Sequence, residues 1–384
     1  MNLKISMTGD PVWARVMRPR IPLVYLDLNH IIGIAKVLTS HPKALPDYGA
    51  LYEAALRAKS DRRAIFPLSG AHFWEVIKIS DPKQRIALAE VLESVSDFQY
   101  LLGRVEIAQL EIEAGIEAAL GESDLGHDFP LLRPTFGQAF GLVGGLKIHN
   151  GDGSDGTDAM RTKVGAAEFD VLMARMNGEL ERSMLRGPSD DEAALLRSDD
   201  SYRPEEVLKG HQSRLAWELQ LSDVLVKYPT WRRNGRLRDV VGAREFVHEW
   251  LDLLNRIQEE RHQDGRTRFD PTDEEMQDLL GNMPHSRVAV ALKTRFHRNP
   301  AHRWTINTIT DIDAASVAYA YCDAILTDNE VRAALAEAKE VRNLTTFLPR
   351  GALELASWLD QLPQVVVPDL LVRHPPPARS APTT

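Results

Sequence analysis

The sequence predicts an α/β fold, a parallel sheet flanked by helices and interrupted by a large, mainly α-helical insertion. Three observations lead there. Two strand-then-helix units with short joints stand near the N-terminus, the same pattern returns near the C-terminus, and the stretch between shows helical periodicity alone. The 384 residues are 43% hydrophobic and 26% charged, enough apolar material for a large core and too much for a disordered chain.

The first unit opens with IPLVYLDL at 21–28, a short buried strand. Asn29 can cap the helix that follows, which carries Ile31, Ile32, Ile34, Ala35 and Leu38 on its apolar face. A helix over 48–59 leads to a second strand at 64–68, where Ser69 stands as a cap before HFWEVIKI. Residues 82–120 read as helical throughout. The composition then shifts to Gly, Asp, Ser and Pro over 121–165, which predicts a long loop or mobile flap. Its glycines match neither a P-loop nor a dinucleotide fingerprint. NGDGSDGTD lacks the closing Glu of a calcium loop, since that position falls on Lys163.

Residues 164–292 are helical by period. The α/β pattern resumes with a helix at 314–321, a strand at 324–327, a helix at 330–339 and an edge strand near 343–347. The economical organisation is a discontinuous α/β domain from 1–120 and 300–362, a Gly-rich loop plus helical insertion at 121–299, and a Pro-rich disordered tail at 363–384.

No apolar run approaches a membrane span, and the first twenty residues lack a secretory core, which predicts a cytoplasmic protein that does not engage a membrane. The single cysteine, Cys322, excludes an intrachain disulfide and a multi-cysteine zinc site. A formal net charge of -9 argues against a coat of nucleic acid held by charge alone. A nuclease is still allowed, because its acidic centre subtracts from that sum.

Asp27 ends the first strand, at the edge where open parallel sheets bind ligands. Glu75 lies in the helix after the second strand, with His72 on a neighbouring face. Asp311 and Asp313 precede AASVAYAY, and Asp328 ends the strand AILT. Assembled as one sheet, these acids gather at one rim. Carboxylates so placed repel one another unless a cation lies among them, and an all-oxygen set suits Mg²⁺ or Mn²⁺. Phosphodiester hydrolysis is the chemistry such a site serves best. Taken singly, Asp313, Asp328 and Ser69 are also ordinary helix caps, and His72 reads more readily as a supporting residue than as a ligand.

Here the sequence resembles the PIN-domain nucleases. The resemblance rests on VYLDLN around Asp27, on PLSGAHFWE ending in Glu75, and on NTITDIDAASVAYAYCDAILTDNE over 307–330. It implies a PIN-like parallel sheet with Asp27, Glu75, Asp313 and Asp328 as catalytic metal ligands, Asp311 replacing or assisting Asp313, and Asn29 and Asn307 as supporting polar residues. It also implies a Mg²⁺- or Mn²⁺-dependent endonuclease, more often acting on RNA than DNA, with possible toxin or defence roles and a regulatory protein partner. The long stretch between Glu75 and Asp311 departs from the single-domain members.

Next to the acidic motif, 285–310 contains Lys293, Arg295, Arg298 and Arg303, interleaved with Phe296 and Trp304 and free of Asp or Glu before Asp311. Cations beside aromatics are what a single strand of nucleic acid needs, and the same run could equally be a basic helix face. Two rival functions stand beside the nuclease. A phosphohydrolase of haloacid-dehalogenase type also begins with a strand-end Asp, but its second acid would here be Asn29. A catalytically idle PIN-like scaffold would keep the fold and bind through the insertion.

Overall fold

The computed structural model describes residues 9–122, 128–198, 204–233, 236–367 and 370–375. The fold is α/β, with helices dominating and sheets of few strands. At its centre the strands Val24–Leu26 and Ala324–Leu326 run parallel, with Val24 opposite Ala324, Tyr25 opposite Ile325 and Leu26 opposite Leu326. Single parallel bridges extend this pair on both sides. Leu23 meets Ile65, Leu68 meets Tyr100, and Ala324 meets Phe347. Read across, the order is 100, 65–68, 23–26, 324–326, 347, all in one direction.

Both central strands are buried on both faces, as parallel strands covered by helices must be. Their side chains alternate between two cores. Val24, Leu26, Ala324 and Leu326 pack with Ile31, Ile34, Leu51 and Phe66, whereas Leu23, Tyr25 and Ile325 pack with Ile309, Ile312 and Val317. The helices Leu28–Leu38 and Asp47–Ser60 cover one face, and the helix Ile306–Tyr321 the other.

The long helical stretch expected over 82–120 is broken. Asp97 and Phe98 adopt left-handed backbone angles (φ 49° and 56°) after the helix Pro82–Ser96, turning the chain into the short strand Tyr100–Leu101 before the helix Arg104–Leu120 begins. The edge strand expected near 343–347 is replaced by a 3₁₀ turn, Lys339–Leu344, and only Phe347 bridges to the sheet. Within the Gly-rich region, Phe136 and Phe140 pack together and Phe136 stacks obliquely on Phe73, so that part is anchored rather than a free flap.

The stretch 121–299 does not stand apart from the α/β unit. The helix Pro284–Arg298 lies along Ile306–Tyr321, and Val288, Leu292 and Phe296 enter the same core as Leu23 and Tyr25. A further core joins Ile112 and Ile116 to Phe246, Trp250 and Leu254. The tail was expected to be disordered from 363. Instead Leu371–Arg373 pairs antiparallel with Val16–Pro19, which also carries Phe129–Pro130 in parallel on its other side. The rest of that expectation, at 376–384, lies outside the described residues. Among those residues no helix is long and apolar enough to cross a membrane.

Candidate functional site

The site grows from the parallel strands. Leu26 and Leu326 lie side by side, so Asp27 and Asp328 leave the sheet close together at its C-terminal edge, and the Asp27 amide still donates to Leu326 O at 2.9 Å. Asp27 occupies the N-cap position of Leu28–Leu38, yet its carboxylate makes no capping bond. It accepts instead from the Thr327 hydroxyl (3.4 Å) and is almost fully buried. Asp328 is a working cap, with Oδ1 accepting from the amides of Glu330 (2.6 Å) and Val331 (3.0 Å).

Glu75 reaches the same place from the helix Gly70–Val76, and Asp311 from Ile306–Tyr321. Their carboxyl groups lie close enough for each to shift the other's ionisation. Burial, with the charge of Asp328 next, raises Asp27 to about 6. Burial, then Asp27, raises Glu75 to about 7, while Lys78 pulls the other way. Burial, then Asp27, Glu75 and Asp328, raises Asp311 to about 8. Four acids thus feel one another at one sheet edge, and the Glu75 and Asp311 protons belong to the pair.

Asp313, expected among the metal ligands, faces elsewhere. Its Oδ2 and Oδ1 accept from Arg214 Nη1 (2.5 Å) and Nη2 (2.7 Å), and Arg104 Nε lies 3.3 Å away. Although burial pushes its pKa up, Arg104 and Arg214 hold it below the ordinary value. Asp311, named at first as a neighbour, is the acid of this pair that joins Asp27 and Glu75.

The supporting residues divide. His72 is structural: Nδ1 accepts from the Ser69 amide (3.0 Å), and Nε2–H donates to Leu26 O (2.7 Å). Burial lowers it to about 4, which keeps it neutral. Ser69 bonds the Tyr25 hydroxyl at 3.0 Å and shares a capping box with His72. Asn29 is exposed, and Asn307 accepts from Lys78 Nζ at 3.4 Å.

The basic run is corrected at two positions. Lys293 is buried and paired to Glu245 (2.6 Å) and Glu218 (2.9 Å), and Trp304 is buried against His297 (4.5 Å between rings), so neither can meet a strand of nucleic acid. Arg295 is half exposed and pairs with Glu337 at 2.8 Å. Arg298 and Arg303 are exposed.

Sequence reasoning missed His30, Thr327 and the arginine pair. His30 sits one turn after Asp27, where helical spacing could have flagged it, and bonds Tyr48 OH at 3.0 Å. Burial lowers its pKa against the pull of Asp328. Arg104 and Arg214 come from helices distant in sequence, and nothing local marks them.

A hard cation suits this donor set by chemistry, since Asp27, Glu75, Asp311 and Asp328 offer only oxygen, and Asp27, Glu75 and Asp311 are ionised at a cost that a cation would relieve. Among the described residues, however, no three His, Cys, Asp or Glu side chains already stand at metal-binding spacing. The carboxylates would have to draw together on loading. Compared with known proteins, the chain matches no family model, no curated protein and no solved structure.

Proposed function

We propose that the chain is a Mg²⁺- or Mn²⁺-dependent endonuclease with a PIN-like catalytic sheet, acting on RNA in preference to DNA. One observation carries the reading: Asp27, Glu75, Asp311 and Asp328 converge at the C-terminal edge of adjacent parallel strands, and each raises the cost of ionising another. The parallel order through 100, 65–68, 23–26, 324–326 and 347 supports the PIN-like part.

Asp27, Glu75, Asp311 and Asp328 would hold the cation. When bound, it supplies an acidified water and charge stabilisation for the leaving oxygen. The chain's own groups do the rest. Thr327 orients Asp27, and Asp328 is fixed by its cap. Without the cation, burial and the neighbouring carboxylates raise Glu75 and Asp311 toward neutrality, so a cation held there would displace protons from that pair. Neutral His72 ties the Glu75 helix to the strand beneath Asp27.

Cleavage of labelled single-stranded RNA and DNA with Mn²⁺, Mg²⁺ or EDTA tests the proposal. Metal-dependent cutting is expected in the wild type and absent in Asp311→Asn. Equal cutting by that variant, or no cutting by any preparation, rejects it.

A further inference from the structure

The helix Ala166–Arg186 of the insertion divides along its length. Its second half is docked. Glu181 is buried and accepts from the Tyr100 hydroxyl (2.7 Å) and the Phe136 amide (3.0 Å), Arg182 pairs with Glu93, and Leu185 enters the core with Leu88 and Leu92. The first half carries the short helix Thr157–Val164 against it, with the Arg161 guanidinium 5.5 Å over the Phe169 ring and 3.0 Å from Asp170. Leu172, Met176 and Leu180 stay in water, 38%, 37% and 42% exposed. Those three form a single row. Successive members are four residues apart, about 40° around the helix, and Met176 lies about 180° from Leu185 and about 140° from Glu181. The row therefore points away from the body of the protein, where an apolar helix face has nothing of its own chain to meet.

The charges beside the row say what covers it. The row reads the same in both directions about Met176, with a leucine four residues to either side. On one flank, about 60° to 120° around from Met176, stand Glu168, Arg175, Glu179 and Arg182 in that order. When a second copy of the helix lies antiparallel with Met176 opposite Met176, this flank meets itself reversed. Glu179 of each copy then falls about 3 Å along the axis from Arg175 of the other, and Glu168 the same distance from Arg182. Arg175 and Glu179 are exposed and already bond one another at 3.0 Å, so both are free to serve a neighbour. Arg182 keeps its bond to Glu93 and supplies charge. A parallel copy would instead set Glu168 beside Asp170, two like charges. An anionic membrane is a poor occupant as well, because Glu168, Asp170 and Glu179 outnumber Arg175 and Arg182.

We propose that this helix is a self-association surface: two copies of the chain pair through Ala166–Arg186, antiparallel about a two-fold axis at Met176, with Leu172 of each packed on Leu180 of the other. Such a contact uses the same patch on both copies and closes on itself, so its product is a dimer and not a filament. A single helix pair buries less than the about 1,200–2,000 Å² of a standard stable interface, so the dimer exchanges with monomer in the micromolar range. The inference stands apart from the nuclease reading, since no residue of the acidic rim takes part. It gives the insertion a role of its own.

Sedimentation velocity of the full chain from about 1 to about 100 µM tests the proposal. The wild type is expected to pass from monomer to dimer across that range. Met176→Glu should stay monomeric, and its melting temperature at about 1 µM should match the wild type, because the side chain it replaces is exposed and neither protein is dimeric there. Arg175→Glu should weaken association about fivefold, and adding Glu179→Arg should restore it, since the exchanged charges again meet reversed. Cross-linking checks the register. Cys322 is buried, so Met176→Cys supplies an accessible thiol at the two-fold axis, and a mild added oxidant should join two copies there as a disulfide. Val171→Cys, about 140° around the helix, should not cross-link. A wild type that stays monomeric to about 100 µM, a dimer that survives Met176→Glu, or equal cross-linking at 171 and 176 overturns the inference.

Discussion

Asp311 and Asp313 occupy the same helix two residues apart, which turns their side chains about 200° from one another. One can face the acidic rim only if the other faces away, and the arginines decide which. Arg214 and Arg104 neutralise Asp313, leaving Asp311 to meet Asp27 and Glu75. Opposite consequences follow for the two amides. Asp27, Glu75 and Asp311 have pKa values raised in the fold to between about 6 and about 8, so the folded chain keeps protons that the unfolded chain has released above its ordinary carboxylate range. The stability they allow is fully present at low pH and is lost as pH rises through those folded values. Melting temperature in EDTA should fall between about pH 6.5 and 8 by this linkage, above the range in which buried His72 and His374 act in the opposite sense. Asp311→Asn should flatten that fall and stabilise the cation-free protein by about 1–2 kcal/mol at pH 8. Mn²⁺ should raise the wild-type melting temperature at pH 8, and do so less in Asp311→Asn. Asp313→Asn should instead cost about 3 kcal/mol, because it leaves Arg214 and Arg104 with less compensation in a buried setting. A wild-type profile flat from pH 6.5 to 8 would contradict the first three expectations.

At the scale of elements, the insertion is held by charge as well as by apolar packing. A π-helical turn, Phe246–Trp250, carries Glu249, which accepts from Arg214 Nε at 2.7 Å and Arg104 Nη2 at 2.8 Å and lies 3.8 Å from Lys293. Lys293 continues the network to Glu245 and Glu218, and Glu218 bonds His297 Nε2 at 2.7 Å. Burial lowers the Lys293 pKa less than Glu245, Glu218 and Glu249 raise it, so the ammonium stays charged. Lys293→Met should destabilise the protein by about 3–5 kcal/mol, since it strands buried carboxylates. A loss under about 1 kcal/mol in denaturant melts would show that water reaches those acids. This network also explains what was legible beforehand. The strand ends bearing Asp27 and Asp328, and the helix bearing Glu75, could be read because turn chemistry and hydrophobic pattern are local. The facing of the basic run could not. Lys293 and His297 share an inward helix face, Arg295 and Arg298 point out, and the partners that draw the first two inward lie 48 and 79 residues away.

On the scale of the whole molecule, the two ends of the chain close the fold behind the site. Arg18 is buried, donates from Nη1 to Tyr321 O at 3.3 Å and pairs with Asp323, whose Oδ2 also accepts from the Leu23 amide at 2.7 Å. The terminal segment covers this joint. Leu371–Arg373 pairs with Val16–Pro19, and the His374 ring packs against Trp13 (4.6 Å) and Tyr321 (4.9 Å). A Pro-rich composition concealed this, since a three-residue strand carries no periodicity and its anchor is a single histidine. Burial, assisted by the Arg18 charge, lowers His374 to about 3, so the folded chain refuses a proton that the unfolded chain accepts near the ordinary histidine value. Its contribution is therefore present above about pH 6.5 and is lost as pH falls toward 3. A chain ending at Val367 should lose about 2 kcal/mol at pH 7 and show a shallower acid limb between pH 6 and 4. His374→Gln should reproduce the shallower limb without removing the strand. Neither change touches Asp27, Glu75, Asp311 or Asp328, so both proteins should keep the wild-type rise in melting temperature with Mn²⁺. Loss of that rise on truncation would mean that the terminal strand holds the acidic rim in place, and the closure of the fold would then belong to the site itself.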